Sequence, residues 1–199
     1  METDIFIRLF EFAMRKDQYL CSIAKSMPRN AKYTSPEIQN DVIDIMARMV
    51  QDVIVKECKD SDIGHFCIKC DETTDATNLE DMSLVVRYVT RGVAVERLLC
   101  AVDMKAVDAQ SITDTIIQEL TCHALDPAKS LSQCYDGASI MSGCKGGVQI
   151  LLQDKLGRVI PYVHCFNHQL HLVVVHAMEA VPQVRNFFLL CEQLYVFSK

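Results

Sequence analysis

The chain has 199 residues, half of them hydrophobic and 23% charged, enough to fill one domain with a lead-in but cramped for two full domains. Its 20 Lys and Arg against 26 Asp and Glu give a formal charge of −6, which argues against a simple cationic nucleic-acid binder, while the apolar content excludes a disordered chain. The first residues carry acids and a charge-broken apolar face, and the longest apolar runs, such as residues 172–178, fall far short of the roughly 20 needed to span a bilayer, so neither secretion nor a membrane segment is expected.

Ten cysteines suggest a disulfide framework until their positions are read. Cys21, Cys58, Cys100, Cys122 and Cys191 all fall inside apolar helix or strand patterns, which fits a reduced, intracellular chain.

In chain order, residues 4–25 place Ile5, Leu9, Phe12, Leu20 and Ile23 at helical intervals with Arg8, Glu11, Arg15 and Asp17 between them, predicting one amphipathic helix. Two prolines mark a turn over residues 26–36, and Thr34 and Ser35 before Pro36 and Glu37 signal a new helix start. That helix keeps a 3.6-residue period through Ile38, Val42, Ile45, Met49 and Val53 to about Cys58. From Asp62 the pattern becomes strand-like: residues 65–70, 82–90 and 95–104 read as a three-strand meander, with Thr90, Arg91 and Gly92 as punctuation. Ser111 starts a helix with Ile112, Ile116, Ile117 and Leu120 on one side, closed by Asp126 and Pro127. A strand at 131–135, a glycine-bearing turn at 136–147, a helix near 146–156 and a short strand at 160–165 follow. A last helix runs from about His168 to the end, bent at Pro182. The order predicts a mixed α/β sheet domain over residues 61–199, preceded by a helical lead-in over 1–60.

Three groups could carry chemistry. Asp71 follows the apolar run at 65–70 and Asp136 follows the strand at 131–135, and carboxylates at the carboxyl ends of neighbouring strands can converge on Mg²⁺ for phosphoryl transfer. Read singly, such acids are ordinary turn formers and helix caps. Cys165-x-x-His168, beside His164 and His171, is half of a zinc site, and Cys67-x-x-Cys70 does not complete it because residues three apart on a strand face opposite ways. Zinc is therefore not expected there, and small core cysteines are the simpler reading. The stretch from Gly137 to Gly147 lacks the G-x-x-x-x-G-K-[ST] pattern, so it reads as a tight turn needing glycine conformations rather than a phosphate loop.

The strings at 32–44 (KYTSPEIQNDVID), 70–89 (CDETTDATNLEDMSLVVRYV), 134–149 (CYDGASIMSGCKGGVQ) and 162–174 (YVHCFNHQLHLVV) together resemble hAT-family transposase-derived proteins, including the MYM-type and TTF-type zinc-finger groups. The resemblance implies a ribonuclease H-like core, with Asp71 and Asp136 as the first and second metal-binding acids and Cys165 with His168 as the family's C-x-x-H motif. It also implies a later catalytic Glu beyond a helical insertion, and no segment up to Lys199 resembles that context; Glu179 and Glu192 do not stand in it. Ile140 and His171 stand where the family usually has Asn. The expectation is a partial or domesticated, non-catalytic transposase core in the nucleus, with Mg²⁺ its cofactor if active. Its partners would be DNA or a protein, or a second copy through the apolar segment at 180–197. A nuclease with its third acid supplied by Glu179, Glu192 or another chain is the alternative, and a zinc-stabilised binding module the second.

Overall fold

The computed structural model describes residues 5–28, 33–74 and 80–197, so part of the turn at 26–36 and the centre of the motif at 70–89 lie outside the described residues. The chain divides into two compact units, residues 1–52 and 53–199.

The first unit is helical. Instead of one helix it opens with two, α1 (Ile5–Lys16) and α2 (Gln18–Ser26). The break is Asp17, whose extended backbone and carboxylate cap the second helix by accepting from the Tyr19 and Leu20 N–H groups. An acid that satisfies two otherwise orphaned donors outcompetes helix continuation, although apolar periodicity runs across it. The next helix, α3 (Pro36–Lys59), begins where expected: Pro36 occupies its first turn and the Ser35 hydroxyl accepts from the Ile38 N–H.

In the second unit, β1 (Phe66–Thr74), β2 (Glu80–Thr90) and β3 (Val93–Met104) form the antiparallel meander. Helix α4 (Ala109–Cys122) then crosses to β4 (Ser130–Tyr135), and α5 (Ser139–Ser142) with α6 (Val148–Leu156) leads to β5 (Tyr162–His164). Strands β4 and β5 are parallel to β1, giving the sheet order β3-β2-β1-β4-β5. This mixed order, with crossover helices between the parallel strands, is a ribonuclease H-like α/β fold.

The sheet has unlike faces because side chains alternate along each strand. Ile68, Cys70, Met82, Leu84 and Val86 are buried in one core with Ile112, Ile116 and Leu120 of α4 and Val148 and Leu152 of α6. Each such aliphatic side chain contributes roughly 1.5–3 kcal/mol by leaving water. The C-terminal part of α3 joins this core through Ile54 and Cys58, and Glu57 there accepts a 2.7 Å hydrogen bond from the Tyr88 hydroxyl. The opposite face carries Lys69, Arg87 and Glu96, linked by ion pairs of 2.8 and 3.0 Å. Along β3 the register slips: Leu84 faces Cys100 but Val85 faces Leu98, so Leu99 is an extra, bulged residue.

Two further elements differ from the sequence expectation. The last helix is two, α7 (Phe166–Glu179) and α8 (Pro182–Phe197), because Pro182 has no N–H to continue the ladder and instead opens a new helix. Strand β1 also runs past residue 70 to Thr74, which puts Asp71 inside the strand opposite Ser83 rather than after its end. Pairing with β2 holds the polar residues of the motif in extended conformation. All ten cysteines are free thiols, and no described helix is long and apolar enough to cross a membrane.

Candidate functional site

Parallel pairing of β1 with β4 places Lys69 opposite Cys134. Asp71 stands two residues further along β1, on the same polar face as Lys69, and Asp136 stands just past the end of β4. They line one cleft of about 350 Å³ together with Lys69, Ser83, Cys134, Cys165, Asn167 and His168. The strand-end acids and the C-x-x-H motif, far apart in the chain, thus share a wall. Glu179 and Glu192 do not join them: both line a separate cavity between α7 and α8, with His171 and Arg185.

Each wall has a local cause. The Asp136 carboxylate accepts from the Ala138 N–H through one oxygen at 3.1 Å, the turn geometry expected of Asp after a strand, while its backbone carbonyl accepts from the Tyr162 hydroxyl at 2.9 Å. Cys165 is tied to the end of β4 by its N–H donating to the Tyr135 carbonyl at 2.8 Å, and it opens α7, so His168 rises from the first turn beside the cleft. Burial above all, then the neighbouring Cys165, pushes the Cys134 thiol up. A row of rings backs the site: Tyr135 stacks on Tyr162, Tyr162 on His164, and His164 packs against His168 at 5.7 Å.

Three glycines of the turn, Gly137, Gly143 and Gly147, are required by close approach. A Cβ on Gly137 would lie 2.7 Å from Cε1 of His164, and one on Gly147 would lie 2.5 Å from the backbone N of Gly143. The backbone at Gly143 and Gly147 is ordinary, with φ of −58° and −73°, so the turn needs space at these two positions and not the left-handed conformations anticipated from sequence.

One acid was missed in sequence. Glu72 lies at the same end of the sheet but on the helix-covered face, where burial first, then the charges of Asp136, Glu80 and Asp71, raise its pKa above the carboxylate norm. Its Oε1 is buried without a hydrogen-bond partner. Strand alternation between Asp71 and Glu72 would have signalled the opposite facing, had the strand been read as continuing that far. Lys69 lay in none of the quoted strings and enters the site only through the fold, while Tyr162, Asn167 and Gly137 lay within quoted strings but were given no role in the cleft.

The donor set suits a hard divalent cation. Asp71 is exposed to the cleft, and Asp136 keeps a second carboxylate oxygen beyond the one used in its turn, leaving oxygen ligands of the kind that hold Mg²⁺ together with several waters. The Lys69 ammonium is engaged by Glu96 on the far side of the strand's polar row.

A ribonuclease H-like sheet with one acid on its first strand and another just past the end of its fourth defines an RNase-like α/β protein. Residues 2–147 match the family described as ZMYM1/FAM200, RNase-like domain (DUF4371), and the chain belongs to that family. The match takes in both acids and stops short of β5 and the Cys165–His168 segment. It agrees with a transposase-derived, RNase-like domain.

Proposed function

We propose that this is a hAT-like transposase core of the MYM-type and TTF-type zinc-finger kind that has been domesticated: it binds a divalent cation, Mg²⁺, between Asp71 and Asp136, and serves in the nucleus as a DNA- or protein-binding module without cutting DNA. The observation that carries this reading is the convergence of Asp71 and Asp136 on one cleft with Cys165 and His168. Among the described residues these two are the only carboxylates lining that cleft, whereas two-metal strand cleavage calls for a richer acidic set. The cation would neutralise the paired charge and offer a phosphate a docking point despite the acidic chain. The nuclear setting rests on the hAT-like motifs.

The test is calorimetric titration of Mn²⁺, a tighter-binding substitute for Mg²⁺, into the chain and into an Asp71→Asn, Asp136→Asn double variant, followed by a DNA-nicking assay with the same proteins. Binding by the wild type alone, with no nicking, is the expected result. Nicking that disappears in the double variant overturns the non-catalytic reading in favour of a nuclease whose third acid comes from elsewhere. Absence of Mn²⁺ binding to a folded wild type removes the metal site altogether.

A further inference from the structure

A second constellation lies on the other face of the sheet. Ligand atoms of Cys100, Glu119 and His123 all fall within 4.8 Å of one another, and among the described residues no other trio of His, Cys, Asp or Glu gathers so closely. All three side chains are half-buried. Glu119 and His123 stand four apart at the end of α4 and therefore on one helix face, with His123 Nε2 3.7 Å from Glu119 Oε2. Cys100 comes from β3, and the bulge at Leu99 is what aims it there: the extra residue lets Cys100 pair with Leu84, whose side chain points into the helix-covered core.

We infer that Cys100, Glu119 and His123 form a Zn²⁺ site that ties the edge strand β3 to the end of α4 and leaves the fourth coordination position to water. The ligand types select the metal, since thiolate sulfur and imidazole suit zinc and not Mg²⁺ or Ca²⁺. Charge balances as well: one thiolate and one carboxylate neutralise the dication, so a partly buried site carries no net charge. Zinc bonds of about 2.0 to 2.3 Å at tetrahedral angles set ligand atoms roughly 3.3 to 3.8 Å apart. The nitrogen–oxygen pair already meets that spacing at 3.7 Å, and the remaining pairs, within 4.8 Å, need to close by no more than about 1.5 Å through side-chain rotation. In the metal-free chain Cys100 is a free thiol close to Glu119 and His123. The step is therefore ligand exchange: Zn²⁺ gives up all but one of its hydration waters, the Glu119 carboxylate and the His123 imidazole take two of the remaining positions, and the Cys100 sulfur takes the third as its proton passes to solvent. This site is independent of the Asp71 and Asp136 cleft.

The experiment titrates Co²⁺, then Zn²⁺, into metal-free chain kept reduced with a phosphine. The background carries Asp71→Asn, Asp136→Asn, Cys165→Ser and His168→Ala to silence the cleft. The expected result is one equivalent of Co²⁺ with a sulfur-to-cobalt charge-transfer band and strong tetrahedral visible bands, both displaced by Zn²⁺. Cys100→Ser abolishes the charge-transfer band, His123→Asn weakens binding at least about 100-fold, and Glu119→Gln about tenfold. Because Cys100 lies in a strand, far-ultraviolet circular dichroism accompanies every variant, and His123→Asn at the helix end tests the site without touching the sheet. A folded background protein that binds no Co²⁺, or binding that survives both Cys100→Ser and His123→Asn, overturns the inference.

Discussion

Two adjacent glycines after the candidate site should respond oppositely to alanine. At Gly147 an added Cβ meets the backbone N of Gly143 at 2.5 Å, its carbonyl oxygen at 2.7 Å and its Cα at 2.9 Å, whereas at Gly146 it meets nothing within 4 Å. Relaxing the first contact to an ordinary separation of about 3.4 Å requires a backbone shift near 0.9 Å, since no side chain can rotate away; overpacking of this kind costs roughly 1–3 kcal/mol. The shift also stretches the 3.0 Å hydrogen bond from the Gly147 N–H to the Gly143 carbonyl, worth about 1 kcal/mol. Against this stands a gain of about 0.4–1 kcal/mol from a less flexible unfolded chain. Gly147→Ala should therefore destabilise by about 2–3 kcal/mol, and Gly146→Ala should be neutral or slightly stabilising. In urea, with a slope near 2 kcal/mol/M, the first variant moves the midpoint down by roughly 1 M or more and the second leaves it in place. Equal midpoints for the two variants would refute the argument, because only the contact with Gly143 separates them.

Glu96 offers a test of the polar face. Hydrogen bonding to Lys69 in the first place, with the charges of Lys69 and Arg87, holds its carboxyl below the usual value, so its stabilising contribution is present above the ordinary carboxylate pKa and is lost as pH falls through the lowered folded one. Glu96→Gln should cost less than about 1 kcal/mol at pH 7, and the difference from wild type should vanish at low pH and shrink in high salt, as read by thermal unfolding across pH. The end of the chain offers another: α7 and α8 have no buried residue, and Phe187, Phe188, Leu190, Leu194 and Phe197 are exposed. Such surface should drive pairing of copies. Sedimentation should show concentration-dependent association that Leu190→Glu with Leu194→Glu suppresses; a wild-type monomer at high concentration counts against it.

The strand and helix order of the sheet domain was legible because its signals are local. Alternation marked β2, the 3.6 period marked α3 and α4, and Asp136 sat where a strand gave way to a turn. Asp17 was not legible as a break, since the competition between its capping carboxylate and an unbroken apolar stripe is settled by geometry that periodicity does not register. Asp71 was found as a site candidate but mislocated, because a strand held by pairing with β2 can run through polar residues. The approach of Gly143 to Gly147, and of Gly137 to His164, depends on tertiary contact. So does the trio of Cys100, Glu119 and His123: its helical half has a readable four-residue spacing, but its cysteine comes from a strand whose facing was reset by one extra residue.

That extra residue has a further effect on how copies of this chain meet. Strand β3 lies at the margin of the sheet and, at twelve residues, is its longest member, so its outward backbone groups would otherwise offer a straight template for a neighbouring polypeptide to add to. The irregularity at Leu99 divides that template into two shorter pieces with a local twist between them, and Glu96 and Arg97 place charge on one of the pieces. The opposite margin, β5, has only three residues to offer. Both borders of the sheet are thereby poor seeds for fibre-like growth, and association is steered toward helical surfaces instead.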